Sequence, residues 1–282
     1  MRWGDFNLEL VSDGCLWLDG GAMFGVVPKP LWSRTTPCDD ANRIRLGMNC
    51  LLVQSAQINL LIDTGCGDLF SDKEKKIYRI EREKRLSEQL ADRAGLQPRD
   101  IDIVVNTHLH FDHAGGNTSR DAEKGLQPTF PKARYIVQRR ELHEAEHTTE
   151  RNQASYNPDN WRPLEESGQL ETVEGQSEII PGVTVIPTPG HTLGHQSVLI
   201  ESGDRQLFYI ADLCPTQAHV PLPWIMGYDL FPLTTLETRK KIYPRALAEQ
   251  WVVFFEHDPD RPCGWLTRDQ GRYGVENLDL FQ

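Results

Sequence analysis

The stretch that decides the fold of this chain is Thr107-His108-Leu109-His110-Phe111-Asp112-His113-Ala114-Gly115-Gly116. Three imidazoles and one carboxylate fall within it, and both groups commonly bind metals. The residues before it, 101–106, are mostly apolar and β-branched, which predicts a buried strand. The paired glycines after it predict a turn. The metal-binding side chains are therefore expected on a loop at the end of a strand, where a sheet can position them.

The H-x-H-x-D-H spacing provides enough ligands for two metal ions. His108 and His110 can face one ion, while Asp112 and His113 face a second. Neutral imidazole and carboxylate together suit zinc, and manganese, iron or cobalt could occupy the same positions. A solvated loop that is rich in histidine by chance is the alternative. The tight spacing at a strand end favours the metal site, so two divalent metal ions are the predicted cofactors.

Three further strand ends carry side chains of the same kind. Strands predicted at 183–186, 206–210 and 251–255 lead to His191, Asp212 and His257, respectively. With the four side chains above, these make a set of five histidines and two aspartates. We predict that a first ion is bound by His108, His110 and His191. A second ion would be bound by Asp112, His113 and His257, and Asp212 would bridge the two ions.

Asp63 follows another predicted strand, at 58–62, and precedes a Thr-Gly turn. A carboxylate at the end of a buried strand is unfavourable unless it has a partner. One role for Asp63 is to accept a hydrogen bond from a metal-bound histidine and so to orient its ring. The alternative, that Asp63 caps a turn, fits the sequence equally well.

The composition is that of a soluble globular protein. The 282 residues are 39% hydrophobic and 25% charged and contain no linker or repeat, which predicts one domain over residues 1–282. The net charge of -11 argues against a nucleic-acid or anionic membrane partner. The chain shows neither an apolar run of membrane-spanning length nor a signal peptide, so a cytoplasmic location is expected.

Two loops are candidates for the substrate pocket. The loop at 19–32 is rich in Gly, Pro and aromatic residues, and no regular element is predicted for it. Structural packing of this loop is an equally good alternative. The apolar loop at 220–226 either lines a pocket for an acyl chain or forms a homodimer contact. For His219, a plain surface position is an equally good alternative. The predicted pocket residues are Met23, Phe24, Trp32, His219, Trp224 and Tyr228.

Residues 143–147, His-Glu-Ala-Glu-His, match the H-E-x-x-H signature of zinc proteases. The match lies in a charged segment that is predicted to be a polar helix from 139 to about 152. No third ligand follows at the spacing that such proteases use. We therefore interpret His143 and His147 as surface residues and reject a protease function.

Strand-rich halves with helices between them predict a β-sandwich that is covered by helices. The seven predicted ligands match, residue by residue, the dinuclear pattern of the metallo-β-lactamase fold superfamily, and residues 62–65, Ile-Asp-Thr-Gly, resemble its second-strand motif. The resemblance spans essentially the whole chain. It implies an α/β (α+β) fold, an αββα sandwich of two mixed β-sheets flanked by helices, with the metal site along one edge.

Further stretches narrow the resemblance. Residues 188–197, Thr-Pro-Gly-His-Thr-Leu-Gly-His-Gln-Ser, are similar to the corresponding run of acyl-homoserine lactonases. The loop at 19–33, with residues 215–219 and 226–229, is similar to the YtnP-like branch of probable quorum-quenching lactonases. The chain departs from the lactonases at Pro215, where they carry a Tyr that contacts the substrate. Tyr228 or His219 is the candidate for that contact.

The resemblance implies a zinc-dependent hydrolase that opens a lactone or ester, with an N-acyl-homoserine lactone as the expected small-molecule substrate. A hydroxide that bridges the two ions would attack the carbonyl carbon, and Asp112 or Asp212 would pass a proton to the leaving alkoxide. Phosphotriesterase, glyoxalase II-like thioesterase and β-lactamase activities are alternatives on the same metal core. A non-catalytic metal-binding protein is disfavoured, because a decayed site would be expected to lose ligands.

Overall fold

Two seven-stranded β-sheets lie face to face in the computed structural model, which describes residues 1–281. The strands are numbered in chain order. The first sheet contains, from one edge to the other, β1 Arg2–Trp3, β2 Phe6–Asp19, β3 Arg43–Gln54, β4 Asn59–Ile62, β5 Ile103–Val105, β8 Arg134–Gln138 and β9 Leu170–Val173. The second sheet contains β10 Ser177–Ile180, β11 Val183–Pro187, β12 Gln196–Ser202, β13 Arg205–Tyr209, β14 Val252–Phe254, β15 Cys263–Asp269 and β16 Arg272–Asn277.

Helices and a small hairpin connect these strands. The hairpin consists of β6 Thr118–Asp121 and β7 Gly125–Pro128. The helices are α1 Gly20–Phe24, α2 Lys29–Trp32, α3 Asp72–Tyr78, α4 Leu86–Ala94, α5 Phe111–Ala114, α6 Arg139–Glu146, α7 Arg162–Glu166 and α8 Pro232–Ala248. Within residues 1–281, none of them is both long enough and apolar enough to cross a membrane.

The apolar side chains alternate along the strands, so each sheet buries both of its faces. On β11, Val183 and Val185 point into the core between the two sheets, whereas Ile186 belongs to the apolar cluster that includes α8. On the far side of the first sheet, Leu86 and Leu90 of α4 cover the outer face. The layers therefore follow the order helix, sheet, sheet, helix, and the predicted αββα sandwich is confirmed.

Strand direction determines where the site lies. β4 and β5 are parallel neighbours, as are β13 and β14. β11 runs in the same direction as β13, because both are antiparallel to β12. The carboxyl ends of these strands lie at one edge of the sandwich, and the loops that follow them carry the predicted ligands.

Two expectations about local structure are wrong. The loop at 19–32 contains α1 and α2, and Asp19 caps α1 by accepting a 2.8 Å hydrogen bond from the Ala22 N–H. Helices of five and four residues are too short to show a helical period in the sequence. The polar helix predicted from 139 to 152 ends at Glu146, and His147 follows as its C-cap. The extent of the domain, residues 1–282, stays a prediction.

Gly194 provides a test of how tightly α6 packs against the turn between β11 and β12. A Cβ at Gly194 would lie 2.1 Å from the backbone nitrogen of Glu141. We expect Gly194→Ala to lower the free energy of unfolding by about 1–3 kcal/mol, because backbone atoms must move. Urea denaturation measures the loss. In the control Gly274→Ala, the new Cβ meets only a side-chain oxygen at 3.1 Å, so stability should hardly change. Equal losses in both variants would contradict this packing.

Candidate metal centre

All seven predicted ligands converge at the carboxyl ends of the strands, and all seven are buried. Within each of three groups, the ligand atoms lie within 4.8 Å of one another. The groups are His108, His110 and His191; Asp112, His113 and His257; and His108, His113 and Asp212. The first two coincide with the sets predicted for two separate ions. The third places Asp212 between them.

The two carboxylate oxygens of Asp212 face different groups. Its Oδ2 lies 3.2 Å from Nε2 of His191, and its Oδ1 lies 3.2 Å from Nε2 of His257. Asp212 follows Ala211, whose φ of 48° lies in the left-handed region that non-glycine residues rarely adopt. This strained turn holds the carboxylate between the two groups.

The spacing of the ring nitrogens fits metal ligands. Nε2 of His191 lies 2.9 Å from Nδ1 of His110, and Nε2 of His257 lies 3.1 Å from Nε2 of His113. Two nitrogens bound tetrahedrally to one zinc ion would be about 3.3 Å apart. Nε2 of His108 is buried and has no hydrogen-bond partner among residues 1–281. An orphaned buried nitrogen is unfavourable, and a cation in the cluster would satisfy it.

The negative charge of the cluster also favours the binding of cations. Five buried carboxylates lie in or against it, namely Asp63, Asp112, Asp212, Asp229 and Glu256. Two divalent ions would offset four of these five negative charges. Burial raises the pKa of Glu256 to about 8, so a further negative charge is unfavourable in this cluster. Burial acts upward on Asp212 as well, but the imidazoles of His191 and His257 hold the pKa of its carboxyl well below the usual range.

Hydrogen-bond acceptors lie behind the predicted ligands, where they orient the imidazole rings. Nδ1 of His113 lies 3.1 Å from Oδ2 of Asp63 and 3.0 Å from Oε2 of Glu256. Asp63 also accepts 2.7 Å hydrogen bonds from the backbone N–H and the hydroxyl of Thr107. Asp63 thus contacts both a predicted ligand, His113, and the start of the loop that carries it, and its role behind a metal-bound histidine stays a prediction. Because the His113 ring donates its proton from Nδ1, the lone pair on its Nε2 can face the cluster.

Other supporting residues were not found from the sequence. Nδ1 of His191 lies 2.9 Å from Oδ1 of Asp229, and Nδ1 of His257 donates to the carbonyl of Gly47 at 2.7 Å. Asp229 stands in a stretch quoted for the resemblance, and Glu256 directly precedes a predicted ligand. These positions were the only signals in the sequence, because the partners of both carboxylates come from distant parts of the chain.

Glu141 on α6 connects the loop that carries His108 and His110 to the loop that carries His191. Its Oε1 accepts from the Leu109 N–H at 3.0 Å and from the Tyr156 hydroxyl at 2.9 Å, while Oε2 accepts from the Thr192 hydroxyl at 2.5 Å. Leu109 separates His108 from His110, and Thr192 follows His191. A buried glutamate in a polar helix cannot be recognised from its neighbours, so sequence analysis missed it.

A cavity of about 200 Å³ opens onto the cluster. Of the predicted pocket residues, Met23 and Tyr228 line it. Apolar side chains form much of the remaining wall, and Arg151 and Tyr78 add polar groups. The lining residues are Leu18, Met23, Leu46, Tyr78, His110, Phe111, Asp112, Arg151, Ala154, Ser155, His191, Asp212, Met226, Tyr228 and His257.

The structure places the other four predicted pocket residues behind Met23 rather than in the cavity wall. The Phe24 ring stacks on Trp32 at 5.1 Å and on His219 at 4.4 Å, and it meets Trp224 edge-on at 5.7 Å. Both ring nitrogens of His219 are engaged, one by the Thr216 hydroxyl and the other by the Met23 carbonyl. His219 is therefore neither a surface residue nor available for a substrate contact. The four side chains form a packing layer that supports the cavity wall.

Comparison with known proteins agrees with this geometry. The sequence profile of the metallo-β-lactamase superfamily matches residues 44–257. An N-acyl homoserine lactonase from Bacillus sp is 30% identical over 228 residues, which cover 76% of this chain and 82% of the relative. The chain belongs to the metallo-β-lactamase superfamily.

Solved structures show the same architecture over the full length. The crystal structure of a probable metal-dependent hydrolase from Staphylococcus aureus has a TM-score of 0.90 and 32% identity, and the match covers 100% of both chains. A dizinc quorum-quenching lactonase in complex with its product has a TM-score of 0.84 and 21% identity, with coverage of 100% of this chain and 97% of that one. At this identity the second likeness concerns the fold alone.

Metal content tests the predicted ligand set. We expect the wild-type protein to retain two ions per chain after gel filtration and His257→Ala to retain about one, because the second group loses a donor. Elemental analysis by plasma mass spectrometry measures the ratio. Glu150→Gln, an exposed carboxylate outside the centre, is the control and should retain both ions. Full retention by His257→Ala would remove this residue from the ligand set.

Proposed function

We propose that this protein is a dinuclear metal-dependent hydrolase that opens the ring of N-acyl-homoserine lactones. The observation that carries the proposal is the position of Asp212, whose two oxygens face two separate histidine groups at the base of a partly apolar cavity. Membership of the metallo-β-lactamase superfamily supports a metal-dependent hydrolase, and the similarity to N-acyl homoserine lactonases supports the lactone as substrate.

We assign a first divalent ion to His108, His110 and His191, a second to Asp112, His113 and His257, and the bridge to Asp212. The mixed imidazole and carboxylate donors favour zinc over calcium or magnesium. Bound there, two such ions would supply Lewis acidity, which polarises an acyl carbonyl and makes a water molecule acidic near neutral pH.

The chain's own groups orient and protonate the substrate. Asp112 lines the cavity, and its oxygens lie 3.7 Å and 3.9 Å from Nε2 of His257 and of His113. Asp112 and Asp212 both line the cavity, so an oxygen of either carboxylate can accept the proton that the attacking water gives up and pass it to the leaving alkoxide. Asp63 and Glu256 hold the His113 ring in place while this happens.

The walls of the cavity suit an acyl-homoserine lactone. Leu18, Leu46 and Phe111 offer an apolar surface to an aliphatic chain, and the Tyr228 hydroxyl can donate a hydrogen bond to a carbonyl oxygen. We assign to Tyr228 the substrate contact that lactonases make with the Tyr replaced here by Pro215. Pro215 itself accepts a 3.0 Å hydrogen bond from the His257 N–H, so its backbone supports a ligand.

Ring opening is the direct test of the activity. Zinc-loaded protein should hydrolyse short- and long-chain acyl-homoserine lactones, with release of one proton per turnover that a pH indicator follows. Removal of the metal by a chelator should abolish turnover, and added zinc should restore it. A protein that holds two ions yet leaves every lactone intact would refute the lactonase. Phosphotriesters, thioesters and β-lactams, assayed in parallel, would then identify the substrate class of the hydrolase.

The role of Tyr228 is tested by removal of one oxygen. We expect Tyr228→Phe to lower kcat/KM for the lactone about tenfold, because one hydrogen bond to the substrate is lost. Steady-state kinetics give the ratio, and metal content should stay at the wild-type value. Tyr273→Phe changes a tyrosine that packs against Tyr243, away from the cavity, and serves as the control. Unchanged kinetics in Tyr228→Phe would show that the substrate contact lies elsewhere.

A further inference from the structure

Three exposed side chains at the carboxyl end of α6 form a cluster outside the dinuclear centre. His143 and Glu146 lie on α6 at the i, i+3 spacing of one helix face, and His147 is the C-cap residue that directly follows them. Their ligand atoms all lie within 4.8 Å of one another. The opposite face of the helix is buried and carries Glu141. The cluster overlaps the H-E-x-x-H match, whose histidines are confirmed as surface residues.

The two histidines are arranged as metal ligands are. Nδ1 of His147 lies 2.8 Å from the backbone carbonyl oxygen of His143, to which its N–H donates. This hydrogen bond fixes the tautomer and leaves the lone pair on Nε2, as is common for metal-binding histidines. The two rings lie beside each other, with centroids 4.3 Å apart. Little rearrangement is needed for both to bind one ion.

The charges around the cluster favour a cation. The arginines of α6 pair with other carboxylates, Arg139 with Glu174 at 2.8 Å and Arg140 with Glu144 at 3.4 Å. Glu146 has no ion-pair partner among residues 1–281. Partial burial and the nearby carboxylate of Glu146 raise the pKa of Glu165, and the Arg162 guanidinium acts against this rise. The cluster also lies at the carboxyl end of the helix, where the helix dipole attracts cations.

We propose that His143, Glu146 and His147 form a third, surface metal site that takes a zinc-like divalent ion. Two imidazole nitrogens and one carboxylate oxygen select such an ion over calcium or magnesium, and water completes the coordination. Because the site is open and exposed, its ion exchanges with the solvent. The proposal is independent of the lactonase activity.

The site carries no protease chemistry. In zinc proteases the Glu of H-E-x-x-H acts as the general base beside the ion. Here that residue, Glu144, accepts a 3.0 Å hydrogen bond from the Leu193 N–H and pairs with Arg140. The carboxylate of the metal site comes instead from Glu146, two positions further along. The ion would therefore bind at the surface of α6, and Glu144 would continue to support the loop after His191.

Equilibrium dialysis of untagged, zinc-loaded protein tests the site. Dialysed against micromolar free zinc, the wild type should hold one ion more per chain than after gel filtration. His143→Ala and His147→Ala should each lose that difference. Glu150→Gln, an exposed carboxylate outside the cluster, should keep it. The absence of an exchangeable ion in the wild type, or its persistence in both histidine variants, would overturn the proposal. Neither result depends on turnover.

Retention on an immobilised nickel resin is an independent measurement. The other seven of the nine histidines are buried, so retention of untagged protein must come from His143 and His147. The wild type should be retained, and the double variant with Ala at both positions should pass through. Equal retention of both proteins would refute the site. Circular dichroism confirms that each variant is folded, and lactone hydrolysis should be unchanged in all of them.

Discussion

Five imidazoles and the carboxylates around them are buried together at one edge of the sandwich, and this concentration of polar groups constrains the rest of the structure. Two pairs of ring nitrogens approach to 2.9 Å and 3.1 Å. At these distances their lone pairs repel each other unless a proton or a cation lies between them. Burial makes that requirement strict, because water cannot enter to relieve it. Two divalent ions meet the requirement for both groups at once.

The surrounding layer follows from the same constraint. A metal ion is bound well only if its ligands are held in place, and here Asp63, Asp229 and Glu256 contact the rings of predicted ligands from behind. Asp63 reaches His113 from a residue with φ of 56°, a left-handed conformation that costs free energy outside glycine. Glu141, on the buried face of α6, joins the two loops that carry His108, His110 and His191. Local strain and buried charge are tolerated at this edge because the interior of the sandwich is regular and well packed.

Much of this could be predicted from the sequence, and the reason is local. His191, Asp212 and His257 each follow an apolar strand, so their position in the fold could be inferred from a few neighbouring residues. Asp229, Glu256 and Glu141 could not be inferred in the same way, because each acts through a partner that the sheets bring from far along the chain. The aromatic residues of the loop at 19–32 were assigned to the pocket, yet Phe24 and Trp32 pack behind it. Composition shows that a loop is structured but does not show which of its faces meets the cavity.

Each group of predicted ligands contains residues from loops of both sheets, and this arrangement affects the stability of the protein as well as its activity. His110 and His191 are 81 residues apart in the chain, and His113 and His257 are 144 apart. An ion held by such a pair would act as a cross-link between the two halves of the molecule. Because the unfolded chain cannot hold the ion in this geometry, the binding free energy adds to the stability of the fold. In a metal-starved cell, such a protein would lose its resistance to unfolding and proteolysis together with its activity.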